Sequence, residues 1–155
     1  MFKYRFIAVI VMLLTIYFSN TPSLMVADPD TWLNSTEYES LAPAAIVSSD
    51  SHFLDSWSEV KDYNFYLHKI SHVTFYALIA FFLLTNSKSI SSVFRKLCFL
   101  FIFALCDEIH QYYVVGRSGR LIDTLLDFTS VCTILIILII FKKLLVRRKT
   151  DSRGE

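Results

Sequence analysis

Ionisable side chains inside long apolar stretches limit this chain to a small number of folds. The stretches at residues 65–84, 97–115 and 121–141 have the length and apolar character of membrane-spanning helices, yet all of them contain charged residues. An Asp, Lys or Arg at the centre of a membrane helix costs about 2.5 to 3.5 kcal/mol on insertion scales. Groups retained at that cost usually have a function, so the sequence predicts a polar site within an otherwise apolar bundle.

The composition also favours a membrane protein. Of the 155 residues, 54% are hydrophobic, including 14 Phe and 8 Tyr, which exceeds what the core of a soluble domain of this size needs. The formal net charge of +1 argues against a nucleic-acid partner, because only the C-terminal tail is basic enough to contact phosphates. The three cysteines lie in apolar stretches without a C-x-x-C pair, so neither a disulfide framework nor a zinc motif is predicted.

The predicted fold class is an all-α, four-helix integral membrane bundle with spans near residues 2–18, 65–84, 97–115 and 121–141. The first span also has features of a secretory signal peptide, but no suitable cleavage site follows it closely. The link at residues 19–64 mixes acidic and apolar residues, which favours one or two short amphipathic helices on the membrane face. Its apolar residues have a simpler alternative role, which is packing on the bundle.

Flanking charges predict the orientation of the helices. Basic residues precede the first span, occupy the link between the second and third spans, and form the tail at residues 142–155, whereas link 19–64 is acidic. Because basic loops are retained in the cytoplasm, both termini are predicted there and link 19–64 outside. The chain is therefore expected to be a multi-pass protein of the cell membrane, with a tail that contacts membrane lipid.

This orientation places ionisable groups from three helices at one depth in the outer leaflet. At 1.5 Å per residue, His72 and Asp127 lie about 10 Å below the outer ends of their helices. Helical spacing predicts three polar stripes, of Lys69 with His72 and Tyr76, of Asp107 with His110 and Gln111, and of Asp123 with Asp127. We therefore expect one ligand-binding or polar site, formed by Lys69, His72, Tyr76, Asp107, Glu108, His110, Gln111, Arg117, Arg120, Asp123 and Asp127.

The role of the two arginines has two interpretations. Arg117 and Arg120 lie in a short turn with Gly116 and Gly119, where they either neutralise buried carboxylates or bind a phosphate-bearing lipid or cell-wall precursor. Since an unpaired buried carboxylate is costly, an internal ion pair is the favoured interpretation for at least one of them.

Catalytic and metal-dependent functions are not favoured by the motifs. Histidines and carboxylates are suitable ligands for a metal or for a hydrolase, but the chain contains no H-E-x-x-H, no G-x-S-x-G and no phosphate-binding glycine loop. No cofactor and no metal are predicted, and a non-enzymatic role is preferred.

The segment from Asp107 to Asp127, DEIHQYYVVGRSGRLIDTLLD, resembles the signature of the VanZ-like membrane proteins, which is close to D-E-x-x-Q, then G-R, then D-x-x-x-D or D-x-x-x-N. Residues 69–76 resemble the family element R-K-x-x-H-x-x-E-Y, and residues 17–22 resemble its F-S-x-x-P element. The chain departs from the family pattern at His68, Phe75 and Ser130, where Arg, Glu and Gly are usual.

The resemblance covers about residues 2–141 and implies a bacterial cell-envelope protein. The namesake of the family is linked to low-level teicoplanin resistance, so a contribution to glycopeptide tolerance through the outer-leaflet site is expected. A lipid-linked cell-wall component is the partner that this role suggests. The alternative is an intramembrane hydrolase or transferase acting on a lipid-linked envelope substrate.

Overall fold

A computed structural model describes residues 2–57 and 62–151 of the chain. Its long helices are α1 (Phe2–Ser19), α2 (Tyr63–Leu84), α3 (Ile90–Tyr112) and α4 (Leu121–Asp151). Three short 3-10 helices, Pro29–Leu33, Pro43–Val47 and His52–Leu54, lie between α1 and α2. The described residues form no strand beyond a single antiparallel bridge between Tyr38 and Val114, so the predicted all-α class is confirmed.

Capping explains why α3 starts before its apolar stretch. The Ser89 hydroxyl accepts a hydrogen bond from the Ser92 amide at 3.2 Å, so the helix begins at Ile90 instead of near residue 97. Lys96 then donates to the Leu83 carbonyl at 2.7 Å and so ties the first turns of α3 to the end of α2. At the other end of the chain, α4 continues to Asp151, and the tail residues 152–155 lie outside the described residues.

Two helices meet the length and hydropathy criteria for a membrane span, namely α2 and the segment Leu121–Arg148 of α4. The faces of α1 and α3 that do not pack on the bundle expose large apolar side chains, such as Phe6, Leu13 and Phe94. Apolar surfaces of this extent are typical of contact with lipid or with a protein partner. The four-helix architecture is therefore confirmed, and the membrane character is supported directly for two of the four helices.

The helices pack around α2, which contacts mainly α1 and α4, while α3 packs mainly on α4. An apolar core fills the half of the bundle away from the 3-10 helices, and it consists of Val11, Tyr76, Ile79, Ala80, Leu84, Leu100, Ala104, Val131 and Leu138. Ala80 and Ala104 are fully buried, and their small side chains permit the helices to approach closely. In the opposite half, which we call the link end, many of the buried helix side chains are polar.

The segment between α1 and α2 binds the α3–α4 turn through main-chain hydrogen bonds. These bonds are Ser23 N to Val115 O at 3.1 Å, Val115 N to Glu37 O at 3.0 Å and Glu39 N to Tyr113 O at 2.8 Å. Backbone groups engaged in this way are unavailable for an α-helix, and a proline starts each of the first two 3-10 helices. The link therefore contains three short 3-10 helices among the described residues, where the sequence predicted one or two short amphipathic helices.

Two glycines make the α3–α4 turn possible. Gly116 has a φ of +68°, and a side chain there would overlap Ser23 as well as strain the backbone. A Cβ atom at Gly119 would overlap the carbonyl oxygen of Glu108 on α3. The turn thus lies directly on the last turn of α3, which brings Arg117 and Arg120 against the acidic residues of that helix.

Candidate functional site

The link end of the bundle contains a group of buried polar side chains that we call the polar cluster. Its members are Lys69, His72 and Tyr76 from α2, Asp107, Glu108 and Gln111 from α3, and Asp123, Thr124 and Asp127 from α4. Apart from Lys69, each is at most 8% exposed. Their spacing of three or four residues along each helix directs them to the bundle interior. Three consecutive helices therefore meet in one polar layer.

His72 lies at the centre of the polar cluster between two carboxylates. Its Nδ1 atom is 3.1 Å from Oδ2 of Asp127 and 3.5 Å from Oε1 of Glu108. The other oxygen of Glu108 accepts a hydrogen bond from the main-chain amide of Arg120 at 3.0 Å. Ligand atoms of His72, Glu108 and Asp127 all lie within 4.8 Å of one another, so these three residues could hold a metal ion.

Lys69 forms a direct ion pair with Asp123 across α2 and α4. The distance from Nζ to Oδ2 is 2.6 Å, and the indole of Trp57 donates to the other oxygen of Asp123 at 2.9 Å. The ammonium group also lies 5.9 Å and 5.3 Å from the ring centres of Trp57 and Phe65, within the range of cation–π attraction. The Asp123 carboxylate is thus fully engaged by the protein itself.

Gln111 connects the acidic pair on α3 to the turn. Its amide nitrogen donates to Oδ2 of Asp107 at 3.1 Å and lies 3.4 Å from Oε1 of Glu108, while its oxygen accepts from Nη2 of Arg117 at 2.8 Å. The Tyr76 hydroxyl donates to the same Asp107 oxygen at 3.3 Å. The contacts of the Asp107 carboxylate are therefore hydrogen bonds from neutral groups.

Among the described residues, Arg117 does not form the internal ion pair that the sequence favoured for at least one of the two arginines. Arg117 donates to the Gln111 side chain, and its Nη2 lies 2.7 Å from Nε2 of His68. The Arg120 guanidinium donates to the carbonyl of Ser56 at 3.0 Å. Burial lowers the pKa of Arg117 to about 10, which leaves the group cationic at neutral pH.

His110 is the predicted site residue that points elsewhere. Its Nε2 lies 2.9 Å from the side-chain oxygen of Asn20, and its ring packs edge-on against Tyr38. In a helix, positions i+3 and i+4 diverge from position i by roughly 60° and 40° in opposite directions. Asp107 and Gln111 therefore face the interior together, whereas His110 faces the link.

Two cavities meet at His68 and Arg117. The first, of about 150 Å³, lies between α1, α2 and the link, and its walls are mainly apolar, with Phe18, Leu24, Val26, Trp32 and Phe75 among them. The second is a more polar recess of about 530 Å³ lined by His52, Asp62, Lys69 and Arg120. Arg117 and His68 contribute to both walls, and His72 reaches the apolar cavity.

Four residues of this site were not predicted from the sequence. They are Ser19, Trp57, His68 and Thr124, of which His68 was noticed only as a departure from a family pattern. Thr124 precedes Asp127 by three positions, so helical spacing alone would have placed it on the buried face. No local pattern indicates Trp57, because its partner Asp123 is 66 residues away in the chain.

Comparisons with known proteins find one family. The family model described as VanZ/LLP1 matches residues 4–142, a segment that contains every residue of the polar cluster and of the α3–α4 turn. No curated protein and no solved structure matches the chain.

Proposed function

Since this chain belongs to the VanZ/LLP1 family, we propose that it is a multi-pass envelope protein that binds an anionic, lipid-bearing component beside the polar cluster and contributes to tolerance of teicoplanin-type glycopeptides. Two helices long and apolar enough to span a membrane support this location. Basic side chains of α1, α3 and α4, including Arg5, Lys96 and Lys142, gather at the end opposite the polar cluster. That arrangement favours cytoplasmic termini and a polar cluster in the outer leaflet.

The junction of the two cavities at Arg117 and His68 carries the proposal. A cationic recess continues into an apolar cavity, and the half-buried side chain of Arg117 lies at the boundary between them. An amphiphile with an anionic head and an apolar chain matches this arrangement, with its head in the recess and its chain in the apolar cavity. Pockets of this kind use few polar groups to orient a ligand and apolar walls to bind its remainder.

The residues of the recess favour a phosphate as the anionic head. Lys69, Arg117 and Arg120 supply cationic donors, and the planar guanidinium forms two parallel hydrogen bonds with a phosphate group. The polar cluster holds these donors from behind, because Asp123 binds Lys69 and Gln111 binds Arg117. A lipid phosphate of the cell envelope is thus the ligand class that this geometry supports best.

Binding and antibiotic tolerance can be tested on the same variants. Arg117→Lys keeps the charge and removes the bidentate fork, so we expect the affinity of the purified protein for a short-chain lipid monophosphate to fall about tenfold or more. Arg95→Lys, at an exposed position near the start of α3, is the matched control and should leave the affinity unchanged.

In cells, Asp107→Asn, Gln111→Ala and Arg117→Lys should each lower teicoplanin tolerance while membrane abundance and thermal stability in detergent stay close to those of the unmodified protein. Full tolerance in all three variants would contradict the proposed function. Reduced abundance in proportion to lost tolerance would instead assign these residues to the stability of the bundle.

A second candidate function is hydrolysis or group transfer on a lipid-linked substrate. The position of His72 between a carboxylate and the apolar cavity favours it. Its Nδ1 faces the Asp127 carboxylate, while the ring lines the apolar cavity, as expected for a general base oriented by an acid. Under this alternative, His72→Asn should abolish product formation from a lipid-linked phosphoester and retain binding. Binding without any turnover by the unmodified protein would support the first proposal.

A further inference from the structure

We propose that His72, Glu108 and Asp127 bind one divalent transition-metal ion, Zn²⁺ or Mn²⁺. Nδ1 of His72 is 3.1 Å from the Asp127 oxygen and 3.5 Å from the Glu108 oxygen. Ligand atoms about 2.0 to 2.2 Å from a shared ion are separated by roughly 3.0 to 3.5 Å, so the two distances from His72 already match a coordination shell, and the two carboxylates lie within 4.8 Å of each other. Each ligand comes from a different helix, and all three are buried.

The charges around His72 favour a cation at this position. Three carboxylates, those of Asp107, Glu108 and Asp127, lie close to this single imidazole, whereas Lys69 is already paired with Asp123. Within the described residues, these three carboxylates contact a cationic side chain directly only at His72, at 3.1 Å from Asp127 and 3.5 Å from Glu108. Because burial of uncompensated carboxylates is strongly unfavourable, an ion of charge +2 would stabilise the arrangement.

An unpartnered oxygen provides an independent reason to expect a ligand. The Asp127 side chain is 0% exposed, and its Oδ1 atom accepts no hydrogen bond within the described part of the chain. The hydroxyl of Thr124, one turn earlier on α4 and also 0% exposed, is without a hydrogen-bond partner among the same residues. Buried polar atoms are normally satisfied, so unsatisfied ones beside a ligand set indicate an ion or a bound water.

The donor set selects the class of metal. One imidazole with two carboxylates suits Zn²⁺ or Mn²⁺, whereas Ca²⁺ and Mg²⁺ prefer oxygen ligands alone, and no thiolate is present to favour a soft ion. The apolar cavity reaches His72 and offers an access route. Nδ1 of His72 cannot both donate a proton to Asp127 and bind a metal, so the metal-bound and metal-free proteins are two distinct states.

Metal binding to the purified full-length chain tests this proposal without any assay of antibiotic tolerance. After removal of metals with a chelator, titration calorimetry with Zn²⁺, and separately with Mn²⁺, should show one equivalent bound. We expect His72→Ala, Glu108→Gln and Asp127→Asn each to weaken binding of the preferred ion by at least about 10- to 100-fold. This is the range known for loss of groups that only support a metal ligand. His110→Ala and Glu39→Gln are matched controls outside the polar cluster and should bind as the unmodified chain does.

Thermal unfolding in detergent separates metal ligation from a structural role. Glu108→Gln and Asp127→Asn keep side-chain shape and remove one of several like charges, so the metal-free variants should unfold at the same temperature as the unmodified protein or higher. The preferred ion should raise the unfolding temperature of the unmodified protein and of both controls, but of neither variant. If Asp127→Asn does not fold, Glu108→Gln decides by the same criterion. Failure of the unmodified chain to bind either ion, or unchanged affinity in the ligand variants, overturns the proposal.

Discussion

The two halves of the bundle bury opposite kinds of side chain along the same helices. At the link end, the buried residues include His72 on α2, Glu108 on α3 and Asp127 on α4. Away from the link, the same helices bury Ile79 and Leu84, Leu100 and Ala104, and Val131 and Leu138. Helix packing alone therefore does not explain the polar half, because the apolar half achieves the same packing without ionisable groups.

The buried ionisable groups of the polar half indicate a role other than stabilising the fold. Buried ion pairs often stabilise a fold no better than apolar residues of similar volume, although removing one partner is strongly destabilising. Polar residues inside a membrane protein are accordingly interpreted as functional by default. Tyr76 belongs to both halves, because its ring joins the apolar core while its hydroxyl donates to Asp107. Substitutions in each half and at this boundary therefore test the distinction.

The largest effect is expected for Lys69→Met at the link end. This change leaves the Asp123 carboxylate buried without its cation, at 3% side-chain exposure, so unfolding should become easier by about 3 to 5 kcal/mol. Chemical unfolding in detergent measures this loss. The double variant Lys69→Met with Asp123→Asn should recover most of it, because no uncompensated charge remains. If the single variant loses less than about 1 kcal/mol, charge pairing does not account for the difference between the two halves.

A smaller loss, of about 2 to 4 kcal/mol, is expected for Leu100→Ala in the apolar half. Leu100 is 0% exposed, and truncation leaves a cavity between α3 and its neighbours. The same unfolding assay applies, and lipid-phosphate affinity per folded molecule should not change. A clear change in that affinity would show that the apolar half controls the geometry of the polar cluster.

The smallest effect is expected for Tyr76→Phe at the boundary. The ring and its packing remain, and only the hydrogen bond to Asp107 is lost, so the free energy of unfolding should fall by about 1 kcal/mol. Tolerance assays on this variant report whether the position of the Asp107 carboxylate matters for function. A loss as large as that of Leu100→Ala would mean that the hydroxyl also maintains the apolar packing.

The sequence predicted those features that depend on local pattern. Apolar stretches and helical spacing predicted four helices and the inward stripe of His72 and Tyr76, and the resemblance to VanZ-like proteins is confirmed by the family match. The predicted start of α3 was later than Ile90, because a capped polar turn precedes its apolar stretch. Helix existence is thus more accessible to sequence reasoning than helix ends.

Features that depend on contacts between distant segments were not accessible in this way. The pairing of Trp57 with Asp123 and the hydrogen bonds of the link to the α3–α4 turn involve residues far apart in the chain. Arg117 forms no ion pair with a carboxylate among the described residues, because Gln111 lies between the guanidinium and the acids. Charge complementarity identifies suitable partners, whereas the fold determines which of them come within reach.

The ion pair between α2 and α4 has a consequence for how the chain is assembled during synthesis. Lys69 emerges from the ribosome before Asp123, and His72 and Glu108 emerge before Asp127. Until α4 arrives, the hairpin of α2 and α3 presents charges without their final partners. The last helix therefore completes the neutralisation, and a chain that stops before α4 lacks the carboxylates that pair with Lys69 and His72.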